Sequence, residues 1–496
     1  MRLNSRLLGI VTAAGVAAGG LARAAEPAAA KQEDQVQALK AEVKELRKEI
    51  EALKAKPAAP AVVPASTPGT QATAEAAKVL EERVQALEVQ HKDSVVVGDL
   101  PGSFRVPGTD VSIRLYGFAE MNYVHDFGGD NSDIDYSTFA PYIPLNGSAE
   151  RQRTNRDYLT GRTSRIGIDA GTPTKYGVLG VKLEGDFSNE PRLGNTALYS
   201  NPSANNPAGV FTQQQTNSYD FRIRHLFGQF GGLLIGQTWS TFMDVDNLPE
   251  TVDFNGPIGA TFIRQPQIRY TYGTPDWGNF TVAVENSSSY VLGTDLSPMS
   301  SSLSRMPDFV LRWDRGFEWG AASVRAMTQE LRVTNGADVD ASKRGFGAAA
   351  SASVKTRGDD LLFANVTGGY GIGRYLNYIE GAFYDPANNS VFAESAIGVV
   401  AGYQYKPTGW VRVNFVYGMT RNFDNDYTTF AHANGLDVDR FGINRWVHQA
   451  HIGPIFTPIK GVDLGLEGIY ANRVTVAGER GDAFRVNFSA KYYINM

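Results

Sequence analysis

The 496-residue chain contains no cysteine. That excludes disulfides, a lipidated cysteine and thiolate metal sites, and leaves stability to the hydrogen-bonded chain itself. Beyond the N-terminus no run reaches the roughly 20 apolar residues a membrane-crossing helix needs. Strong charge of either sign is missing too: 47 Lys and Arg face 52 Asp and Glu, a formal net charge of −5. No nucleic-acid partner is expected from such a balance. No nucleophile motif, paired His-Cys cluster or phosphate loop occurs, and Gly369-Tyr370-Gly371-Ile372-Gly373 has no surrounding βαβ unit. The loop acids Asp126, Asp130, Asp133 and Asp135, and Asp424, Asp426, Asp437 and Asp439, lack the spacing of a calcium loop. His448 and His451 have weak metal-ligand spacing but read better as wall or interface residues. Catalysis, cofactors and metal ions are therefore not expected.

What is present is a rhythm. From about Val111 onward, short runs alternate apolar and polar residues, joined in turn by long polar loops and very short turns. In the last run Phe484, Val486, Phe488, Ala490, Tyr492 and Ile494 share one face, and Arg485, Asn487, Ser489, Lys491, Tyr493 and Asn495 the other. A soluble sandwich alternates as well, but nothing makes every second connection long. A bacterial outer-membrane barrel has short periplasmic turns, long outer loops and strands of about 10 residues with half facing lipid. Abundant glycine (52) and aromatics (22 Tyr, 26 Phe) fit barrel bends and interfacial girdles. The pattern predicts an all-β fold, a 16-stranded antiparallel transmembrane barrel over 111–496, its strands running from 111–125 to 480–494. The short connections are expected at Thr172-Pro173-Thr174, Gly231, Thr274 to Trp277, Arg315 to Glu318, Lys355 to Gly358, Lys406 to Gly409 and Thr457 to Gly461. Tyr116, Tyr123, Tyr270, Tyr272, Tyr492 and Tyr493 are assigned to the aromatic girdles.

The N-terminus is a different material. Arg2 and Arg6, the apolar stretch Leu7 to Ala22 and the site Ala22-Arg23-Ala24 read as a signal peptide over 1–24. Over 25–56, Val36, Leu39, Val43, Leu46, Ile50 and Leu53 recur at heptad spacing and predict the core of a short α-helical coiled-coil arm. A lone amphipathic helix packed on the domain is the alternative. An Ala/Pro linker (57–71), a second helix (72–92) and a turn-rich lead-in (93–110) follow.

A 16-stranded barrel leaves an aqueous channel, and arginine lining favours anions. Arg114, Arg165, Arg222, Arg224, Arg264, Arg269, Arg312 and Arg325 are the candidate pore-lining, anion-binding residues. Their planar forks suit carboxylates. The alternative is that they only keep the wall wet and pair with lumen acids. The loop 239–262 follows the fifth strand and carries Asp244, Asp246, Glu250 and Asp253. These acids either set a transverse field across the pore, or cap turns or pair with wall arginines as struts.

Gly98 to Asp110 followed by Leu115-Tyr116-Gly117 resembles the start of the DcaP-family outer-membrane porins. So do Gly236-Gln237-Thr238-Trp239-Ser240, Pro249 to Pro257, and Arg264-Gln265-Pro266-Gln267-Ile268-Arg269-Tyr270. The resemblance covers nearly the whole mature chain and makes 239–262 the constriction loop. It implies a trimeric outer-membrane porin for passive uptake of small anions, notably dicarboxylates, with the arm in the periplasm. The expected partners are membrane lipid and lipopolysaccharide, small anionic solutes and two further copies of the chain. A phosphate-selective pore, a general diffusion pore and a barrel-anchored periplasmic tether are the alternatives, phosphate being disfavoured by sparse inward lysine (Lys182, Lys343, Lys491). The ending Ile494-Asn495-Met496 departs from the usual terminal aromatic.

Overall fold

The computed structural model describes residues 96–128, 138–188, 221–376, 379, 381–438 and 442–494, together with 44, 45, 48, 78, 79 and 82. The signal peptide and the heptad residues Val36, Leu39, Val43, Leu46, Ile50 and Leu53 lie outside the described residues. Contacts divide the chain into two compact units. The smaller one holds Val16–Arg114 and Asp169–Val178. In its described part the pairs Val96–Val97 and Phe104–Arg105 form a small antiparallel ladder, and Ser112 Oγ accepts from the Asp99 N–H at 2.9 Å.

Most of the barrel belongs to the larger unit, Leu115–Ile168 and Leu179 onward. Sixteen strands form the barrel: β1 (Ser112–Gly128), β2 (Arg165–Thr174), β3 (Gly177–Asp186), β4 (Arg222–Phe230), β5 (Leu233–Trp239), β6 (Arg264–Thr274), β7 (Gly278–Glu285) and β8 (Asp308–Phe317). Then come β9 (Gly320–Thr334), β10 (Asp340–Lys355), β11 (Leu361–Tyr370), β12 (Ser395–Thr408), β13 (Val411–Asn422), β14 (Asn444–Ile459), β15 (Val462–Thr475) and β16 (Arg480–Ile494). Neighbours in sequence are antiparallel neighbours in the sheet, and β16 closes on β1 with Ile494 opposite Gly117 and Phe488 opposite Tyr123. Closure removes both edges, so every strand has partners on either side, as a chain in lipid requires.

The turns differ in detail from the sequence reading. The first hairpin turns at Lys175-Tyr176, because Thr172 to Thr174 still belong to β2. Likewise β8, β12 and β14 run on to Phe317, Thr408 and Ile459 before turning. Ladder hydrogen bonds continue as far as a partner remains, past the residues whose type suggests a turn.

The two faces of β16 set the polarity of the wall. Phe484, Phe488 and Tyr492 are 43%, 40% and 61% exposed, whereas Arg485, Asn487 and Ser489 are at most 5% exposed. The apolar side therefore faces lipid and the polar side the interior. Tyr116 and Tyr493 correct the girdle assignment. Both are buried on the interior side, Tyr116 donating to Glu184 at 2.9 Å and Tyr493 to Asp463 at 3.3 Å. Residue parity, not aromatic type, decides their face.

In the long connections after β7 and β11, Val291–Leu292, Ala382–Asp385 and Ser390–Phe392 make a three-stranded sheet. The helix α1 (Asp426–Ala433) packs beside it through Tyr427 stacked on Phe383 at 4.9 Å. Its start is fixed by a capping box between Asn425 and Thr428.

Candidate functional site

Residues 240–263, between β5 and β6, turn into the barrel. At the start of this loop Ser240 Oγ and the Thr241 N–H both donate to Glu285 of β7, at 2.6 and 2.7 Å. Phe242 then packs edge-on against Tyr375. Further along, Gln449 of β14 accepts from the Ile258 N–H, and Glu467 of β15 accepts from the N–H groups of Val252 and Asp253, all at 2.9 Å. These acceptors stand on the interior face of the wall far from β5, so the loop spans the lumen.

The wall makes room with glycine. A Cβ on Gly402 would stand 2.5 Å from Pro249 Cβ, and one on Gly465 2.7 Å from Val252 Cγ2. On Gly398 and Gly418 it would strike the carbonyl oxygens of Gly259 and Ile258. The loop backbone thus rests directly on β12, β13 and β15.

Two loop acids are struts. Asp244 is fully buried and takes hydrogen bonds from Arg312 (3.4 Å), Asn247 (2.7 Å) and Ser351 (2.5 Å). Glu250 receives Arg412 bidentately at 2.6 and 2.9 Å. Arg412 also donates to Asp463 at 2.8 Å. Asp253 accepts from the Thr138 N–H at 2.7 Å, tying a second outer loop to the first. Asp246 sits beside Asp244; burial first, and then that neighbouring charge, push its carboxyl up to about 7.

The eight arginines divide into groups. Arg312 and Arg325 hold the loop, donating to the carbonyls of Met243 at 2.8 Å and Phe242 at 3.1 Å. Arg165, Arg222 and Arg224 gather on the opposite wall around two carboxylates. Arg222 is bidentate to Asp186 at 2.8 and 2.9 Å, Arg224 reaches both Glu184 and Asp186, and Arg165 lies 3.3 Å from Glu184. Lys182 joins them, 2.7 Å from the Tyr116 hydroxyl. Arg264 stands at the mouth of β6 with its guanidinium 3.5 Å from the centre of the Trp239 ring. No carboxylate pairs with it among the described residues, and its Nε and one Nη are buried without a partner. The loop's Phe254 faces this group, 5.6 and 5.5 Å from the guanidiniums of Arg222 and Arg224. Arg269 lies farther down β6, without an ion-pair partner among the described residues. Arg114 pairs with Asp169 in the smaller unit. Among the described residues no His, Asp and Glu group could hold a metal ion.

Sequence reasoning left Arg412, Glu467 and Phe254 off the site. The readable signal was the inward glycines, since a pore wall without side chains at Gly398, Gly402, Gly418 and Gly465 leaves space for something.

A barrel with a loop folded across it belongs to a channel, and the family follows from the sequence. The family model "DcaP outer membrane protein" matches residues 207–494, more than half of the chain. The chain belongs to this family. It is therefore an outer-membrane porin-type channel and not an enzyme. Among solved structures, the outer-membrane channel DcaP of Acinetobacter baumannii is 25% identical, covers 80% of this chain and 100% of its own, and superposes with a TM-score of 0.64. More distant are an anion-selective porin from Comamonas acidovorans and OmpF of Salmonella typhi. They are 14% and 12% identical, each covers 77% of this chain and 100% and 98% of its own, and the TM-scores are 0.44 and 0.47. No curated protein matches.

Proposed function

We propose that this DcaP-family channel passes small anions by diffusion, dicarboxylates among them, with the cluster around Arg264 as the selective station. The observation that carries this is the local balance of charge. Among the described residues Arg165, Arg222, Arg224 and Arg264 stand against Glu184 and Asp186, leaving the wall opposite Phe254 with positive charge in excess. Guanidiniums in a narrow, low-dielectric passage exclude cations and offer a carboxylate two parallel hydrogen bonds. Arg269 shares the interior face of β6 with the buried Gln265 and Gln267, about 17 Å along the strand from Arg264, and gives the departing anion a second contact. The acids Asp244 and Glu250 are held by Arg312 and Arg412, away from the station. A homotrimer with the N-terminal arm in the periplasm completes this reading.

Planar-bilayer recording under a KCl gradient tests the reading. A reversal potential of the anion-selective sign, with reversible block by succinate, is expected. Cation selectivity overturns it. Removing residues 25–92 should leave the conductance unchanged, and cross-linking of the intact protein should stop at three copies.

A further inference from the structure

The outer half of β13 carries an arginine on the wrong side for a pore. Phe415 and Tyr417 are 44% and 41% exposed on the lipid face, while Arg412, Asn414 and Val416 are buried toward the interior. Arg421 continues the lipid-facing column one residue from the end of its strand, opposite Trp446 on β14 and Ile397 on β12. Its guanidinium lies 4.5 Å from the Trp446 ring and 4.8 Å from that of Phe423. His448 stacks on the other end of the same group, 5.5 Å from Trp446, and its Nδ1 is 2.5 Å from the Tyr417 hydroxyl. Among the described residues no carboxylate meets Arg421, and its Nε is buried without a partner. The nearby Asp424 is occupied by Arg445 at 3.2 Å.

A lipid-facing arginine is costly in the middle of the bilayer and tolerated near its surface. Aromatic faces hold its plane in place but supply no anion. The long-loop end of the barrel is the outer end, so the groups at this height are the phosphates of the outer leaflet. We propose that Arg421, clamped between Trp446 and Phe423, is a binding site for a phosphate of lipopolysaccharide. The planar fork takes the phosphate bidentately, and the His448–Tyr417 pair lies beside the lipid's sugar. This site is independent of the anion station inside the pore.

Binding of lipid A by the purified full-length protein in detergent tests the site. Lipid A carrying both phosphates is compared with the same lipid with both removed. The wild-type protein should bind the phosphorylated form with at least fivefold preference, and Arg421→Ala should lose that preference. Arg421→Lys should keep part of it. Arg357→Ala, a charge loss in a short turn at the other end of the barrel, should change nothing. If Arg421→Ala yields no heat-modifiable barrel on gels, Arg421→Gln is read in its place. Equal binding of both lipids by the wild type, or unchanged preference in the Arg421 variants, overturns the proposal. So does full displacement of lipid A by millimolar inorganic phosphate, which would mark a site for the free anion. Loss of the trimer with lipid A affinity intact would assign this face to a second copy and overturn it as well.

Discussion

Glu250 and Arg412, 162 positions apart in the sequence, meet through two parallel hydrogen bonds inside the barrel, at 2.6 and 2.9 Å. This pair pins the far side of the inward loop to β13. Both side chains are about 10% exposed, so neither charge can be left to water when its partner goes. Removing one member of such a buried pair costs about 3–5 kcal/mol. Arg412→Ala takes the guanidinium away from two carboxylates, Glu250 and Asp463, whereas Glu250→Ala leaves Arg412 still bound to Asp463. Arg412→Ala is therefore expected to be the more disruptive. Single-channel recordings should show open-channel noise and altered conductance, greatest in Arg412→Ala, while heat-modifiable mobility shows the barrel still closed.

The selective station makes a second ranking. Arg222 shares Asp186 with Arg224, so Arg222→Ala leaves that carboxylate paired. Arg264 has no carboxylate of its own, so Arg264→Ala removes uncompensated charge outright. A unit charge about 6 Å from a passing ion contributes roughly 1–3 kcal/mol at an effective dielectric near 20 to 50. The anion-to-cation permeability ratio should fall by about five- to tenfold in Arg264→Ala, and less in Arg222→Ala. Reversal potentials in a KCl gradient measure both. Equal effects would mean that Asp186 is not the compensating group.

How far the sequence reaches follows from which forces are local. Strand alternation is dictated by water on one face and lipid on the other, so the run Phe484 to Ile494 declares both its state and its sides. Tyr116 and Tyr493 face inward because parity outweighs aromatic type, and Tyr116 shares its side with Arg114. The eight arginines read as one ladder, yet the fold divides them into loop anchors (Arg312, Arg325), a cluster on the opposite wall (Arg165, Arg222, Arg224) and outliers. That division depends on where residues 240–263 cross the lumen. No local pattern encodes it, because the contacts of Glu250 with Arg412 and of Val252 with Glu467 close over more than 150 residues.

Asp246 gives the constriction a dependence on pH. Its carboxyl is pushed up to about 7, by burial first and by Asp244 next, with Asp314 adding to the effect and Arg312 opposing it. Because the folded value lies above the ordinary one, protonation favours the native loop. That contribution is complete below the unfolded value of 3.8 and fades as pH rises through about 7. Above that pH the loop gains a negative charge beside the pore. Anion preference should therefore fall between pH 6 and pH 8 in the wild type, while Asp246→Asn should hold the pH 6 value throughout. A wild-type reversal potential that is flat over this range would show that Asp246 does not face the conducting path.

Gly418 tests whether the wall was shaped for the loop. Its place on β13 is regular strand, where glycine is ordinarily unfavourable because it loses the most entropy and packs nothing. A Cβ there would run into the Ile258 carbonyl oxygen and come within 2.9 Å of Pro257 Cβ. The obstruction is backbone, which cannot rotate aside as a side-chain tip can. Gly418→Val raises strand propensity and so should leave closure of the barrel intact, yet it must lift Pro257 and Ile258 off the wall and break the 2.9 Å bond from Ile258 to Gln449. The expected result is a folded barrel whose loop is newly open to limited proteolysis between 240 and 263 and whose conductance departs from the wild-type value. Gly316→Val, where a Cβ on β8 meets nothing within 4 Å, is the matched control and should change neither. If Gly418→Val conducts and resists protease like the wild type, the loop does not rest on β13.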